Sequence, residues 1–174
     1  MHTINRKSNF QKLKEANGKL VQTLLTNGLN PTWYIVIHFN DACTSKRQQQ
    51  RRIDMDSVTA DCAAIKNALY TEVYGAKWKK RRTRSKCLFS IEYGASKVKP
   101  HLNIVLEDLP VPFDDHKSVD ILFNYLLPAR VKCLWRKSAN VQMVDHSTVH
   151  RLNQYICKES STDNSTIIYT QSDF

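Results

Sequence analysis

Glycine is scarce in this chain, with four in 174 residues, and the spacing GxxxxGK[ST] occurs nowhere. That absence excludes a phosphate-binding loop and the fused nucleotide-driven motor that would use one. The five cysteines (Cys43, Cys62, Cys87, Cys133 and Cys157) are odd in number and never spaced CxxC. Structural zinc and a disulfide framework are therefore disfavoured, and a reducing compartment is expected. No apolar run approaches the roughly 18 residues that a membrane span needs. The first twenty residues, MHTINRKSNFQKLKEANGKL, are polar and contain no apolar signal core. A cytoplasmic protein with no membrane partner is the expectation. Length and an apolar content of 41% suit one domain with a proper core.

Acids are missing from two segments. KRQQQRR (46–52) carries Lys46, Arg47, Arg51 and Arg52. KWKKRRTRSK (77–86) carries Lys77, Lys79, Lys80, Arg81, Arg82, Arg84 and Lys86. These eleven account for the net charge of +10, because the other 15 Lys and Arg face 16 acids. Charge concentrated in this way points to a polyanion, most simply nucleic acid, rather than to a merely solvated loop. Trp78 lies among the cations of the second segment, where an exposed indole would stack on a base.

Hydrophobic periodicity gives the order α-β-α-β-β-α-α-β-α. Phe10, Leu13, Leu20 and Leu24 mark a helix over 9–26, ended by the turn-forming NGLNP. WYIVIHF (33–39) reads as a buried strand. After a polar loop, Val58, Cys62, Ile65, Leu69 and Val73 recur at spacings of three and four and predict a helix to about Tyr74. CLFSIEY (87–93) and HLNIVLE (101–107) read as strands joined by a hairpin linker. Residues 117–127 read as helical. Pro128 opens a further short helix with Val131, Leu134 and Trp135 on one face. NVQMV (140–144) reads as a short strand and 145–159 as a helix with Val149, Leu152 and Ile156 buried. The final 15 residues are polar and expected to be disordered. The economical fold class is α+β: a mainly antiparallel sheet with helices on one face. The domain is expected over 32–159, between an N-terminal helical extension (1–31) and the polar tail (160–174).

Strand alternation then isolates a polar set. His101 and Asn103 share one face of their strand, and Leu102, Ile104 and Leu106 the other. On the preceding strand Glu92 shares a face with Ser90 and Leu88. If the aliphatic faces pack on helices, Glu92, His101 and Asn103 land together on the open face. A carboxylate, an imidazole and an amide oxygen suit Mg²⁺ or Mn²⁺ with positions left for water or phosphate. Each residue alone is more often simple surface polarity. His38, on the first strand, has an ambiguous face, and packing is its expected role. YICK (155–158) adds Tyr155 and Lys158, three apart on a helix and so on neighbouring surface. A tyrosine oxygen attacks a phosphodiester when a divalent cation polarises the phosphate.

Together these segments resemble the HUH single-strand endonucleases: the rolling-circle replication initiators, with single-tyrosine transposases and conjugative relaxases as relatives. WYIVIHFN resembles the family's first, hydrophobic strand motif. HLN resembles its His-hydrophobic-His motif with Asn103 in place of the second His. NVQMVDHSTVHRLNQYICKE resembles the strand and helix that carry Tyr-x-x-Lys. Glu92 fits the acidic ligand on the neighbouring strand. The resemblance spans roughly 32–159 and implies an RRM-like sheet with a C-terminal nucleophile helix. It implies Glu92, His101 and Asn103 as ligands of Mg²⁺ or Mn²⁺, Tyr155 as nucleophile, and Lys158 as its support. The implied substrate is single-stranded or hairpin origin DNA of a plasmid or virus in a bacterial host, with a host helicase as further partner. Two other readings remain: a single-tyrosine transposase, and a non-catalytic RRM-like nucleic-acid binder.

Overall fold

The computed structural model describes residues 29–39, 55–80, 84–93, 100–145, 147, 149, 151–152 and 165–167. The helix expected over 9–26 lies outside them, as do the loop 40–54 and the hairpin linker 94–99. The elements are β1 (Trp33–Phe39), α1 (Met55–Tyr74), a short 3₁₀ turn (Trp78–Lys80), β2 (Cys87–Tyr93), β3 (Pro100–Leu106), α2 (His116–Ile121), a π-helical segment (Leu122–Leu126), α3 (Leu127–Arg130), β4 (Leu134–Met143) and β5 (Ser165–Ile167). The strands form one sheet in the order β4-β1-β3-β2-β5, antiparallel at every pairing. The α+β class and the antiparallel sheet are as expected.

The core lies on one face of the sheet. β1 contributes Trp33, Ile35 and Ile37, β2 Phe89 and Ile91, and β3 Leu102, Ile104 and Leu106, the alternate residues that strand geometry aims to one side. Cys62, Ile65 and Leu69 of α1 pack on them, as do Val119, Leu122, Phe123 and Leu127 of the second helical run. Both described helical layers therefore cover the same face. Gly75 ends α1 in the left-handed region, φ +80°, and its N–H bonds to the Thr71 carbonyl at 2.9 Å. A glycine there avoids the steric cost of a Cβ. Cys62, Cys87 and Cys133 are buried. Burial, with Asp61 adding to it, pushes the Cys62 thiol up to about 12, so it is inert at neutral pH.

Asp115 caps α2 by accepting from the Ser118 N–H at 2.9 Å, completed by a reciprocal Ser118 bond. The helical path then widens into the π segment, where buried Asn124 performs a specific task. Its Oδ1 accepts from the Ala139 N–H at 2.9 Å, and its Nδ2 donates to the Ala139 carbonyl at 3.1 Å. The amide thus satisfies one donor and one acceptor of β4 on the side away from β1. That is one way to blunt an edge strand.

Two expectations are corrected. The helix after Pro128 ends by Arg130, with Val131 already extended, and Leu134 and Trp135 belong to β4. β4 is ten residues long, not the short strand of 140–144. A bulge hides its period: Ala139 pairs with Ile37 but Leu134 pairs with Phe39. Between the buried Leu134 and Val141 there is no alternation to read. The polar tail is not wholly without structure either, because Ser165–Ile167 adds β5 to β2.

Candidate functional site

Three strands place the polar set by register. His38 of β1 lies opposite His101 of β3, and His101 lies opposite Glu92 of β2. Directly opposed residues of antiparallel strands point to the same face, so these three form a row on the face away from the core. The next row is Val36, Asn103 and Ser90, and the row beyond it Tyr34, Val105 and Leu88. The face is not open throughout. Leu88, Ser90, Asn103 and Val105 are buried, whereas His38 is exposed and His101 and Glu92 are half-buried. The accessible part is the His38–His101–Glu92 end.

The expected trio of Glu92, His101 and Asn103 does share this face. Asn103, only 4% exposed, is engaged on both sides. Its Oδ1 accepts from the Tyr34 hydroxyl at 3.0 Å and its Nδ2 donates to Glu92 Oε2 at 3.4 Å. The amide oxygen expected to meet a cation is therefore turned toward Tyr34, and the amide nitrogen orients the carboxylate. His38 stands in the row itself. Its ring meets that of His101 edge-on, with centroids 4.3 Å apart. Desolvation by burial holds the His101 pKa below the usual histidine value. His38 lowers it further, and Glu92 acts in the opposite direction. His101 is accordingly neutral at physiological pH, the form in which imidazole coordinates a cation.

Among the described residues, no three His, Cys, Asp or Glu side chains gather closely enough to hold a metal ion. The donor chemistry of Glu92 and His101 still suits a divalent cation. A carboxylate and a neutral imidazole on neighbouring strands are donors that Mg²⁺ or Mn²⁺ accepts.

Tyr155 and Lys158 lie outside the described residues, as do Lys46, Arg47, Arg51, Arg52, Arg81 and Arg82. Part of the segment expected to be helical over 145–159 is described. The Asp145 carboxylate accepts from the Ser147 N–H at 2.9 Å, and Val149, Arg151 and Leu152 are helical. Of the second basic segment, Lys77, Lys79 and Lys80 are exposed, and Arg84 and Lys86 half-buried. Trp78 does not present its ring to a base, being 7% exposed. It packs edge-on against Tyr70 at 4.9 Å, and the Arg84 guanidinium lies 5.2 Å from its centroid. The chain reverses just after α1, and the indole is drawn back onto that helix because burying it there gains more than solvation. Trp78 anchors the basic segment to α1.

Tyr34 and the facing of His38 were missed from sequence. The signal was available for both: with Trp33, Ile35 and Ile37 in the core, alternation sends Tyr34, Val36 and His38 to the other face.

A scan against protein-family models, a search of curated proteins and a search of solved structures each return no match to this chain. Among the described residues, no helix is long and apolar enough to cross a membrane.

Proposed function

We propose that this chain is a metal-dependent, site-specific single-strand DNA nickase and ligase that initiates rolling-circle replication of a plasmid or virus. The observation that carries the reading is the row His38–His101–Glu92 on the accessible end of the sheet. The strand and helix order β-α-β-β-α-β with sheet order 4-1-3-2 supports it. That is the split-βαβ topology, which RRM-like nucleic-acid binders share. The Tyr-x-x-Lys motif that follows in sequence supplies the chemistry.

In this reading, origin DNA, single-stranded or extruded as a hairpin, crosses the accessible end of the sheet. Lys77, Lys79, Lys80 and their neighbours hold its phosphates. Glu92 and His101 would hold Mg²⁺ or Mn²⁺, with Asn103 fixing the carboxylate from one side and His38 flanking the imidazole. Such a cation would offset the charge that builds on the scissile phosphate. The phenolic oxygen of Tyr155 attacks phosphorus and its proton is lost. The P–O3′ bond breaks and the 3′ oxygen leaves as a hydroxyl after taking up a proton. A 5′-phosphotyrosine ester remains, which keeps the phosphodiester energy, so rejoining by the same 3′-OH needs no nucleotide. Lys158 supports the charge or orients the phenol. The cytoplasm of a bacterial host is the compartment this activity implies, and a host helicase the partner that unwinds ahead.

One observation favours a second reading. The Asn103 oxygen is occupied by Tyr34, as suits an RRM-like binder without chemistry. Incubation with single-stranded origin DNA and Mn²⁺, followed by a denaturing gel, separates the two. A covalent protein–DNA species, lost with chelator, is expected for the nickase. Binding without any adduct supports the non-catalytic binder.

A further inference from the structure

The bulge in β4 presents a feature that neither basic loop contains. Of the three tryptophans, Trp33 and Trp78 are buried, and Trp135 is 48% exposed. Arg136 and Lys137 follow it, both exposed. The stretch 122–144 holds Arg130, Lys132, Arg136 and Lys137 and not one Asp or Glu. It is a further acid-free basic segment, concealed by the near-neutral total outside the two loops.

The bulge is built rather than loose. Lys137 stands at φ 58°, a left-handed conformation that a residue with a Cβ adopts at a cost, and that is otherwise left to Gly or Asn. Ser138 Oγ holds it there, its one hydrogen shared between the Trp135 carbonyl at 2.9 Å and the His38 carbonyl at 3.3 Å. Asn124 clamps the next residue, Ala139, from the other side. The Lys137 ammonium lies 6.0 Å from the ring centroid of Tyr125, itself 41% exposed. Among the described residues, Glu72 pairs with Arg130, and Asp120 accepts from Asn124. Bulges of this kind re-aim side chains next to functional sites, and this one is tied to the backbone of His38.

We propose that the β4 bulge is a single-strand stacking site, with Trp135 packing on an unpaired base and Arg136 and Lys137 taking the flanking phosphates. An exposed indole beside cations, with no acid near it in sequence, is the combination that binds single strands through π-faces and charge. Duplex DNA, whose bases are stacked and paired, offers no face for the indole. The site rests on the nucleic-acid reading given above and extends it to a surface beside the backbone of His38.

The test uses the full chain and a thymidine oligonucleotide. With Trp33 and Trp78 buried, quenching of tryptophan fluorescence on titration reports Trp135. The parent is expected to bind with quenching. Trp135→Phe keeps a stacking ring, and is expected to hold affinity within about twofold and lose the quench. Trp135→Ala, verified to melt like the parent, is expected to weaken single-strand binding roughly tenfold with little effect on duplex. A parent that binds equally well with and without Trp135→Ala overturns the stacking site and leaves the nucleic-acid reading intact. A parent that binds no oligonucleotide overturns that reading and the site with it. If Trp135→Ala instead turns a dimer into a monomer at unchanged affinity, the bulge is a contact between copies and the proposal fails.

Discussion

The ring of His38 meets the ring of His101 edge-on at 4.3 Å, across a cross-strand pair whose other neighbour is Glu92. Two imidazoles so close cannot both carry charge without cost. The pKa of His101, on the strand between β1 and β2, is lowered, with burial the largest cause and His38 the next.

A pH dependence follows with a definite sign. The folded-state pKa of His101 is below its unfolded value, near 6.5. Between the two values the unfolded chain binds more protons, so stability rises with pH. The contribution is complete above about 6.5 and is lost as pH falls toward the folded value. In chelator, the melting temperature should fall as the solution is acidified through this window, and His101→Gln should remove that part of the slope. His101 faces two titratable groups, His38 from β1 and Glu92 from β2. By NMR titration, His38→Gln should move the His101 pKa up and Glu92→Gln should move it down. A His101 that titrates at or above the usual value in the parent contradicts the arrangement.

The Tyr34 hydroxyl holds the Asn103 oxygen. Tyr34→Phe removes one hydrogen bond to a buried amide and should cost about 1 kcal/mol in chemical denaturation. It also frees Oδ1 to turn toward Glu92 and a cation. Mn²⁺ affinity, followed by calorimetry, should therefore rise. Unchanged affinity would mean that Asn103 takes no part in ligation and serves only to hold Glu92.

β1, β2, β3 and α1 were legible because their periods are intact: Trp33, Ile35 and Ile37 alternate, and Cys62, Ile65 and Leu69 repeat every three or four residues. That same alternation placed Glu92, His101 and Asn103 on one face before any coordinates. What could not be read were features made by long-range pairing. β4 lost its period to a bulge that only its partner β1 defines, so Leu134 and Trp135 looked helical. Trp78 looked like a stacking residue because a cationic neighbourhood says nothing of where the indole packs. The engagement of Asn103 by Tyr34 joins residues 69 apart, beyond the reach of any local pattern.

Asn124 offers a test of the edge of the sheet. Asn124→Ala strips partners from both the N–H and the carbonyl of Ala139 and should cost about 1–3 kcal/mol in denaturant unfolding, the range for buried polar groups left unmet. Asn124→Asp keeps the acceptor for the N–H and loses the donor to the carbonyl, and should fall between. Equal stability of Asn124→Ala and parent would show that water replaces the amide without loss.

The basic segment separates into an anchor and its cations. Trp78→Ala should destabilise the fold by about 3–5 kcal/mol, as loss of a buried large aromatic does. Replacing Lys79, Lys80, Arg81 and Arg82 with Gln should leave the melting temperature near that of the parent. It should weaken binding to all DNA sequences alike, with the log–log salt slope falling by roughly one per lost phosphate contact. Affinity unaltered at moderate salt would mark the segment as solvated surface.

Tyr155 carries the proposed chemistry and has the sharpest test. A free phenol has a pKa of about 10, so little is ionised at neutral pH. In the proposed mechanism, activation comes from the polarised phosphate and from Lys158, three residues on. Tyr155→Phe removes one oxygen and almost no volume, so it divides chemistry from stability. The variant should fold and bind origin DNA like the parent, yet form no covalent adduct and make no nick. Lys158→Ala should slow adduct formation rather than abolish it, because a cation held by Glu92 and His101 would still offset charge at the phosphate. Tyr93 and Tyr169, outside the motif helix, serve as controls whose Phe variants should react normally. Peptide mapping of the DNA-linked fragment decides the assignment. If the Phe variant at position 155 still becomes joined to DNA through another tyrosine, the third motif is misassigned, and the nicking mechanism built on it falls.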